Sequence, residues 1–481
     1  MGSFRTKYNS LSPSVRVSLW FVLCNVIQKA ALILATPIYS RIMTTEQFGD
    51  YKVFLSWVDL AVILTTLDIF YSGYNVGMEK FRDDRKSYTS AMHGLCFAIT
   101  TLWVVMLLPF ASVLSPLLHI STIQFRMLLI YMYVFPVFQF WSARKKYEYQ
   151  YKPLIIVTAL SSVGTVLFGT LAALLVDEKS DGAILAKIVV EAVIAIPLLL
   201  ASVRGIRSVY NKFYWKYALK FNIPLVPHYL SAMILNHSDI LMIDMICGKT
   251  DAAIYSVAYS VAVIITVVQN AMNSAIIPWM YKRLRENDLE GFAKVTSGVI
   301  GAMAILNLSL VICAPEAVMI MGSAQYAEAV YVIPPITFGV FLTTVYGLFM
   351  NIELYYHNNR FAAVASVIAA ASNIMLNFIF IREFGYMAAG YTTFASYLLL
   401  LVMHFFGLRK VSAKNNLSYR KLFDIKAILM IILGFAIGTL VISFTYSFIW
   451  LRLGLIVIII VLMIVCRKKI GRFAAQFLQK N

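Results

Sequence analysis

The feature that most constrains this chain is a succession of apolar stretches, each about twenty residues long, running almost from end to end. A bilayer core about 30 Å thick is crossed by roughly 20 residues of helix, so each stretch is long enough to span it. Only 13% of the residues are charged, against about a quarter in ordinary soluble domains. A water-soluble fold is therefore excluded, and an all-α, polytopic membrane protein is expected. Fourteen transmembrane helices are expected, with the first near 14–40, the second near 53–76, the sixth near 183–203, the seventh near 220–246 and the last near 448–466.

The formal charge of +18 raises the question of nucleic acid, and the placement of the 41 Lys and Arg residues answers it. Every second connection is basic: KFRDDRK (80–86), ARKKYEYQYK (143–152), VRGIRSVYNKFYWK (203–216), YKRLREND (281–288), LRKVSAKNNLSYRK (408–421) and RKKIGR (467–472). By position, roughly 32 of the 41 basic residues fall on the side shared by both termini and about 6 on the other, the asymmetry of cytoplasmic loops. Both termini are thus expected in the cytoplasm, and no nucleic-acid partner is implied. The five cysteines are scattered without CxxC spacing and suggest neither disulfides nor a metal site. The first span carries no small-residue cleavage site and is expected to be retained.

The connections leave no room for a soluble domain. An internal echo pairs TTEQFGDYKVFLSW (44–57), after span one, with KTDAAIYSVAYSV (250–262), after span seven. A six-helix interval between copies suggests duplicated halves, and transporters often bind substrate between such repeats. The expected organisation is a six-helix lobe over 1–208, a second over 209–410 and a central cavity between them. Two further helices and a basic tail occupy 411–481.

An ionic side chain at mid-bilayer costs on the order of 3 kcal/mol, so each one needs a cavity, a partner or the interface. In span one, Asn25 and Lys29 share a narrow stripe that would line a wet cavity. In span seven, Pro224, His228, Ser231 and Asp239 share another, while His237 and Asp244 point elsewhere. Pro224 and Pro227 would loosen the cytoplasmic third of that helix. His228 and Asp239 then either face the cavity or bond neighbouring helices. Lys187 and Glu191, one turn apart, would neutralise each other as an intramembrane ion pair. Asp59 and Asp68 are read on opposite faces of span two, one of them a proton or cation site or else buried, hydrogen-bonded carboxylates. Asn270 with Asn273, and Asn373 with Asn377, have the spacing of interhelical hydrogen-bonding pairs. There is no catalytic constellation, metal spacing or Gly-rich phosphate loop. A transporter without cofactors, driven by an ion, potential or substrate gradient, is expected rather than an enzyme.

From 214 onward, YWKYALKFNIPLVPHYLSAMILNHSDILMIDMICGKTDAAIYSVAYSVAVIITVVQNAMNSAIIPWMYKRL closely resembles the seventh and eighth helices of the Wzx-type flippases. These are polysaccharide transport proteins of the multidrug/oligosaccharidyl-lipid/polysaccharide exporter superfamily. Further matches are RIMTTEQFGDY (41–51), APEAVMIMGSAQYAEAVYVIPP (314–335) and ASNIMLNFIFIREFGYMAAGYTTFASY (371–397). Ile240 stands where the family usually has a basic residue, and Thr45 replaces its turn proline. The resemblance implies alternating access in a bacterial plasma (inner) membrane, with an undecaprenyl-diphosphate-linked oligosaccharide repeat unit as substrate for O-antigen, capsule or exopolysaccharide assembly. Proton or sodium coupling, and a polysaccharide polymerase with chain-length machinery, are the partners it suggests. On this reading Asn25, Lys29, His228, Asn270 and Asn273 line the substrate cavity, with Lys29 attracting the diphosphate. Asp239, Pro224, Pro227, Asp59 and Asp68 form the coupling or conformational switch. A cation-coupled multidrug or toxin antiporter, and a membrane enzyme acting on lipid-linked glycans, are the alternatives.

Overall fold

The computed structural model describes residues 13–70, 73–204, 209–455 and 457, and its regular structure is helical. In chain order the helices up to the middle are α1 (Pro13–Ile42), α2 (Thr45–Thr66), α3 (Gly73–Lys80), α4 (Arg85–Leu107), α5 (Ala111–Leu117), α6 (Thr122–Tyr147), α7 (Tyr151–Leu175) and α8 (Lys179–Val203). Then come α9 (Lys212–Asn222), α10 (Val226–Cys247), α11 (Lys249–Ala262), α12 (Ile264–Arg285), α13 (Phe292–Ile312) and α14 (Ala314–Met321). The remainder are α15 (Ile333–Tyr355), α16 (Asn359–Phe384), α17 (Met387–Lys414), α18 (Tyr419–Leu422) and α19 (Ile425–Phe444).

Among the described residues, eleven helical stretches are long and apolar enough to cross a membrane, against the fourteen expected. α2, at 22 residues, has the length but carries Asp50, Lys52 and Asp59 within it. α1, at 30 residues, has the length too, but many of its side chains lie outside the described residues. The fourteenth expected span lies mostly outside the described residues.

Local chemistry sets the helix ends. Thr44 with Gln47, and Ser121 with Gln124, form reciprocal capping boxes at the starts of α2 and α6. Each satisfies amide donors that a helix start leaves open. Pro224 lies in a 3-10 turn, Ile223–Leu225, that separates α9 from α10, because proline withholds an amide hydrogen from the ladder. The second expected span ends early: α2 stops at Thr66, and Leu67 and Asp68 follow with φ of 49° and 48°. Two consecutive left-handed residues cannot continue an α-helix, so Asp68 sits in a turn rather than on the helix.

On α8, Leu185, Val189, Val193, Ile196 and Leu200 recur at helical spacing and are exposed, the mark of a face turned to lipid. Inward faces are more mixed. α1, α2, α6, α7 and α8 pack on one another as a first group, and α10, α11 and α15 to α17 do so as a second. The groups meet where α2 lies along α10 and α11, with α1 against α11, α12 and α14. The two halves of the sequence echo, α2 and α11, thus pack directly on each other.

Candidate functional site: a polar seam between the two helix groups

The chain passes the basic connections at one end of the bundle, the basic end, and the capping boxes of α2 and α6 at the other, the far end. At the far end the seam is closed tightly. Lys249 Nζ lies 2.7 Å from Asp50 Oδ1, and Gln124 donates to both Asp50 and Asp181. Ser40 Oγ donates to Met321 O at 2.8 Å, Arg41 Nη2 to Met319 O at 2.8 Å, and Gln325 Nε2 to Ser40 O at 3.0 Å. Gly49 lets the backbones touch: a Cβ there would stand 1.9 Å from Lys249 O. Phe48 and Tyr326 complete the closure edge to face, with centroids 5.9 Å apart.

Further along the seam the contacts become sparse and ionic. Lys52 Nζ donates to Thr36 Oγ1 at 3.2 Å and to Ser260 Oγ at 3.4 Å. His237 Nε2 lies 3.3 Å from Asp59 Oδ2, whose side chain keeps 44% of its exposure. Lys29 Nζ donates to Thr266 Oγ1 at 3.2 Å and is half-buried. Asn270 is exposed and Asn273 half-buried on α12. At this depth charged side chains need water or polar partners, since hydrocarbon alone would not hold them.

Not every residue singled out in the sequence comes to the seam. The side chain of Asn25 lies outside the described residues. Pro224 and Pro227 are exposed near the basic end, and His228 is half-buried in α10. Asp239 turns away into the second group, where it is 1% exposed. It accepts hydrogen bonds from Tyr255 Oη (2.5 Å), Thr393 Oγ1 (2.5 Å) and Asn377 Nδ2 (2.7 Å). Asn373 joins the same cluster, donating to Thr393 Oγ1 at 3.2 Å and accepting from Ser238 Oγ at 2.9 Å. The carboxylate is thus held by neutral donors from three helices. Asp239, on the stripe read for span seven, faces protein, and His237, placed off that stripe, is the residue that reaches across the seam.

Lys187 and Glu191 form an ion pair inside the first group, and Tyr131 Oη donates to Glu191 at 2.7 Å. Both line a cavity of about 220 Å³ shared with Gln28, Tyr51, Gln139 and Thr165. Among the described residues no group of three or more His, Cys, Asp or Glu side chains is placed to hold a metal ion.

Sequence reasoning missed Lys52, Asp50 and Lys249. The signal was present in the echo, since Asp50 and Lys52 lie within its first copy and Lys249 stands at the start of its second.

Comparison with known proteins agrees with this architecture. A family model described as "Polysaccharide biosynthesis protein" matches residues 14–284. "Lsg locus putative protein 1" of Haemophilus influenzae is 26% identical over 178 residues, which is 35% of this chain and 44% of that protein. The chain therefore aligns with less than half the length of this relative. The fold is similar to that of the lipid II flippase MurJ in its inward closed conformation, with a TM-score of 0.69 at 14% identity over 94% of this chain and all of that one. It is also similar to an inward-facing multidrug resistance MATE transporter of the MOP superfamily, with a TM-score of 0.65 at 13% identity over 81% of this chain and 96% of that one. With more than half its length matched by the family model, the chain belongs to the polysaccharide biosynthesis protein family.

Proposed function

We propose that this protein is a flippase that carries lipid-linked oligosaccharide repeat units, joined to a polyprenyl lipid such as undecaprenyl through a diphosphate, from the cytoplasmic to the outer leaflet. The observation that carries the reading is the seam itself, latched at the far end and lined deeper in the membrane by Lys29, Lys52, Asp59 and His237. A glycan and diphosphate lose several kcal/mol per polar group when transferred to hydrocarbon without partners. A hydrated seam offers replacements for that hydration while the polyprenyl tail stays in lipid. Family membership and the likeness to a lipid II flippase fold support the same reading.

In this scheme residues 1–208 and 209–410 act as two lobes that rock about the seam, and 411–481 form an appendage. Both termini face the cytoplasm of a bacterial cell whose plasma membrane holds the protein, as the basic connections imply. Lys29 attracts the diphosphate, its ammonium acting as a point charge on phosphate oxygens. Asn270 and Asn273 line the glycan path. Asp239 serves as the coupling-ion site or switch, taking up a proton or a monovalent cation inside its cage of neutral donors. The protein acts as a transporter rather than an enzyme, upstream of a polymerase that joins the units.

The test is reconstitution of the whole chain into liposomes containing a fluorescent polyprenyl-diphosphate oligosaccharide. Protein-dependent transfer between leaflets, lowered at least about tenfold by Lys29→Ala, is expected. A protein that leaves the leaflet distribution unchanged and expels cationic dyes instead would make the antiporter reading correct.

A further inference from the structure

The second helix group holds a pair of ionisable side chains that the scheme above does not use. Glu353, near the basic end of α15, and His404 on α17 are both 0% exposed, with His404 Nδ1 3.0 Å from Glu353 Oε1. Burying an ionisable group costs several kcal/mol, and within a membrane such groups are functional by default.

The surroundings are built around the pair. Gly407 faces the carboxyl, and a Cβ there would stand 2.5 Å from Glu353 Oε1 and 2.6 Å from the Phe361 ring, so a larger residue would displace the carboxyl from its present place. Tyr346 stacks on the imidazole with centroids 5.4 Å apart, and Phe361 meets it edge-on at 6.3 Å. Glu353 Oε2 and His404 Nε2 are buried with no hydrogen-bond partner in the protein, as is Nδ1 of His228 on α10. From the neighbouring helix α10, His228 faces the pair and interacts electrostatically with His404.

A run of aromatic side chains leads from this pair to Asp239, roughly 16 Å away measured along α10 from His228. Tyr346 stacks on Tyr397 at 6.3 Å, and Tyr397 Oη is 3.5 Å from Asn236 Oδ1. Tyr259 Oη reaches the same oxygen at 3.4 Å and stacks with Tyr255 at 6.4 Å. Tyr255 donates to Asp239.

We propose that Glu353 and His404 form a proton-binding site at the basic end of the second group, linked through Tyr346, Tyr397 and Tyr259 to the Asp239 cluster. The chemistry balances as follows. With Glu353 ionised and His404 neutral, the carboxylate accepts a hydrogen bond from the Nδ1–H group and the pair carries one negative charge. A proton from water adds at Nε2, and the Nδ1 proton passes to Glu353 Oε1, leaving a neutral acid beside a neutral imidazole. Release to water reverses both transfers. A site that alternates between one negative charge and none gives a pH gradient something to act on during the rocking of the two groups.

The inference rests on the flippase reading only for the substrate used in one of its two tests. Infrared difference spectra of the reconstituted full-length protein between about pH 5 and about pH 8 require no substrate. A protonated-carboxyl band that vanishes in Glu353→Gln and shifts in His404→Gln is expected, and spectra identical across the three proteins overturn the site. In liposomes containing the fluorescent polyprenyl-diphosphate oligosaccharide, the ratio of transfer rates with and without a pH gradient should exceed one in the wild type. It should fall to about one in both variants, and a ratio unchanged from the wild type refutes the site. His404→Gln keeps a donor opposite Glu353, so it reports on the proton even where Glu353→Gln does not fold. Absence of any lipid transfer by the wild type, with the band present, would defeat the flippase reading and leave the proton site standing.

Discussion

Lys249 at the start of α11 pairs with Asp50 on α2 at 2.7 Å, and this one contact bridges the two copies of the internal sequence echo. Both side chains retain about a fifth of their exposure, 21% and 17%, so the pair is screened less than a surface ion pair and more than a buried one. Removing either partner is expected to cost the closed seam about 1 to 2 kcal/mol, a shift of roughly 5- to 30-fold towards states open at the far end. Labelling of a cysteine placed at Ser260, in a background without the native cysteines, with a membrane-impermeant maleimide measures this. Faster labelling from the far side is expected in Lys249→Ala and Asp50→Asn, and a return towards the wild-type rate in the charge-swapped double variant. Equal rates in all four proteins would mean that the pair does not latch the seam.

Gly49 offers a second, purely steric handle on the same closure. Its missing side chain lets α2 rest on the carbonyl of Lys249, and backbone cannot yield as a flexible side chain can. Gly49→Ala should therefore separate the helices, at a cost of about 1 to 3 kcal/mol to the closed state. The expected readout is faster labelling at the Ser260 cysteine with the Asp50–Lys249 pair intact in sequence. A slower rate than in the parent would show that the contact strains the closure instead of permitting it.

How far the sequence reveals this molecule depends on which interactions are local. Helix length, lipid-facing apolar stripes and the capping boxes at Thr44 and Ser121 depend on neighbours within a turn or two, and they are readable. The one-turn spacing of Lys187 and Glu191 is local as well. The stripe read through Asp239 runs from Pro224, which lies in the 3-10 turn before α10, and periodicity fixes angles between residues and not the rotation of the helix as a whole. That rotation, set by packing against α2, α11 and α16, turns Asp239 inward and His237 towards Asp59. Glu353 and His404 are 51 residues apart on different helices, so nothing in either neighbourhood signals the other. The turn at Asp68 escaped because two left-handed non-glycine residues in succession are uncommon.

The Lys187–Glu191 pair, with Tyr131 donating to the carboxylate, stands inside the first group with each side chain 18% exposed. Removing one partner strands the other charge, whereas replacing both with apolar groups removes the desolvation cost altogether. Glu191→Gln is thus expected to lower thermal stability in detergent by about 3 kcal/mol or somewhat less, and the double variant Lys187→Met/Glu191→Leu to recover most of it. Thermal unfolding followed by intrinsic fluorescence measures both. A double variant as unstable as the single would show that the cavity around the pair, rather than its charges, sets the stability.

Asp239 separates a structural role from a switching one. Its carboxylate accepts from Tyr255, Thr393 and Asn377, binding α10 to α11, α16 and α17 at one point. Asparagine preserves the shape and one acceptor oxygen but cannot take up or release a charge, and its amide donors face groups that also donate. A partly mismatched buried network costs on the order of 1 to 3 kcal/mol. Leucine removes the acceptor entirely and leaves three buried donors open, at a cost towards the upper end of that range or beyond it. If the residue only ties helices together, transport should follow stability, falling modestly in Asp239→Asn and steeply in Asp239→Leu. If it binds the coupling ion, Asp239→Asn should already abolish gradient-driven transfer while its melting temperature falls only by the amount that this modest cost implies. The second pattern is the expected one. Transfer and melting temperature measured on both variants in the same liposomes decide between them, and an Asp239→Asn protein that still responds to the gradient would remove Asp239 from the coupling mechanism.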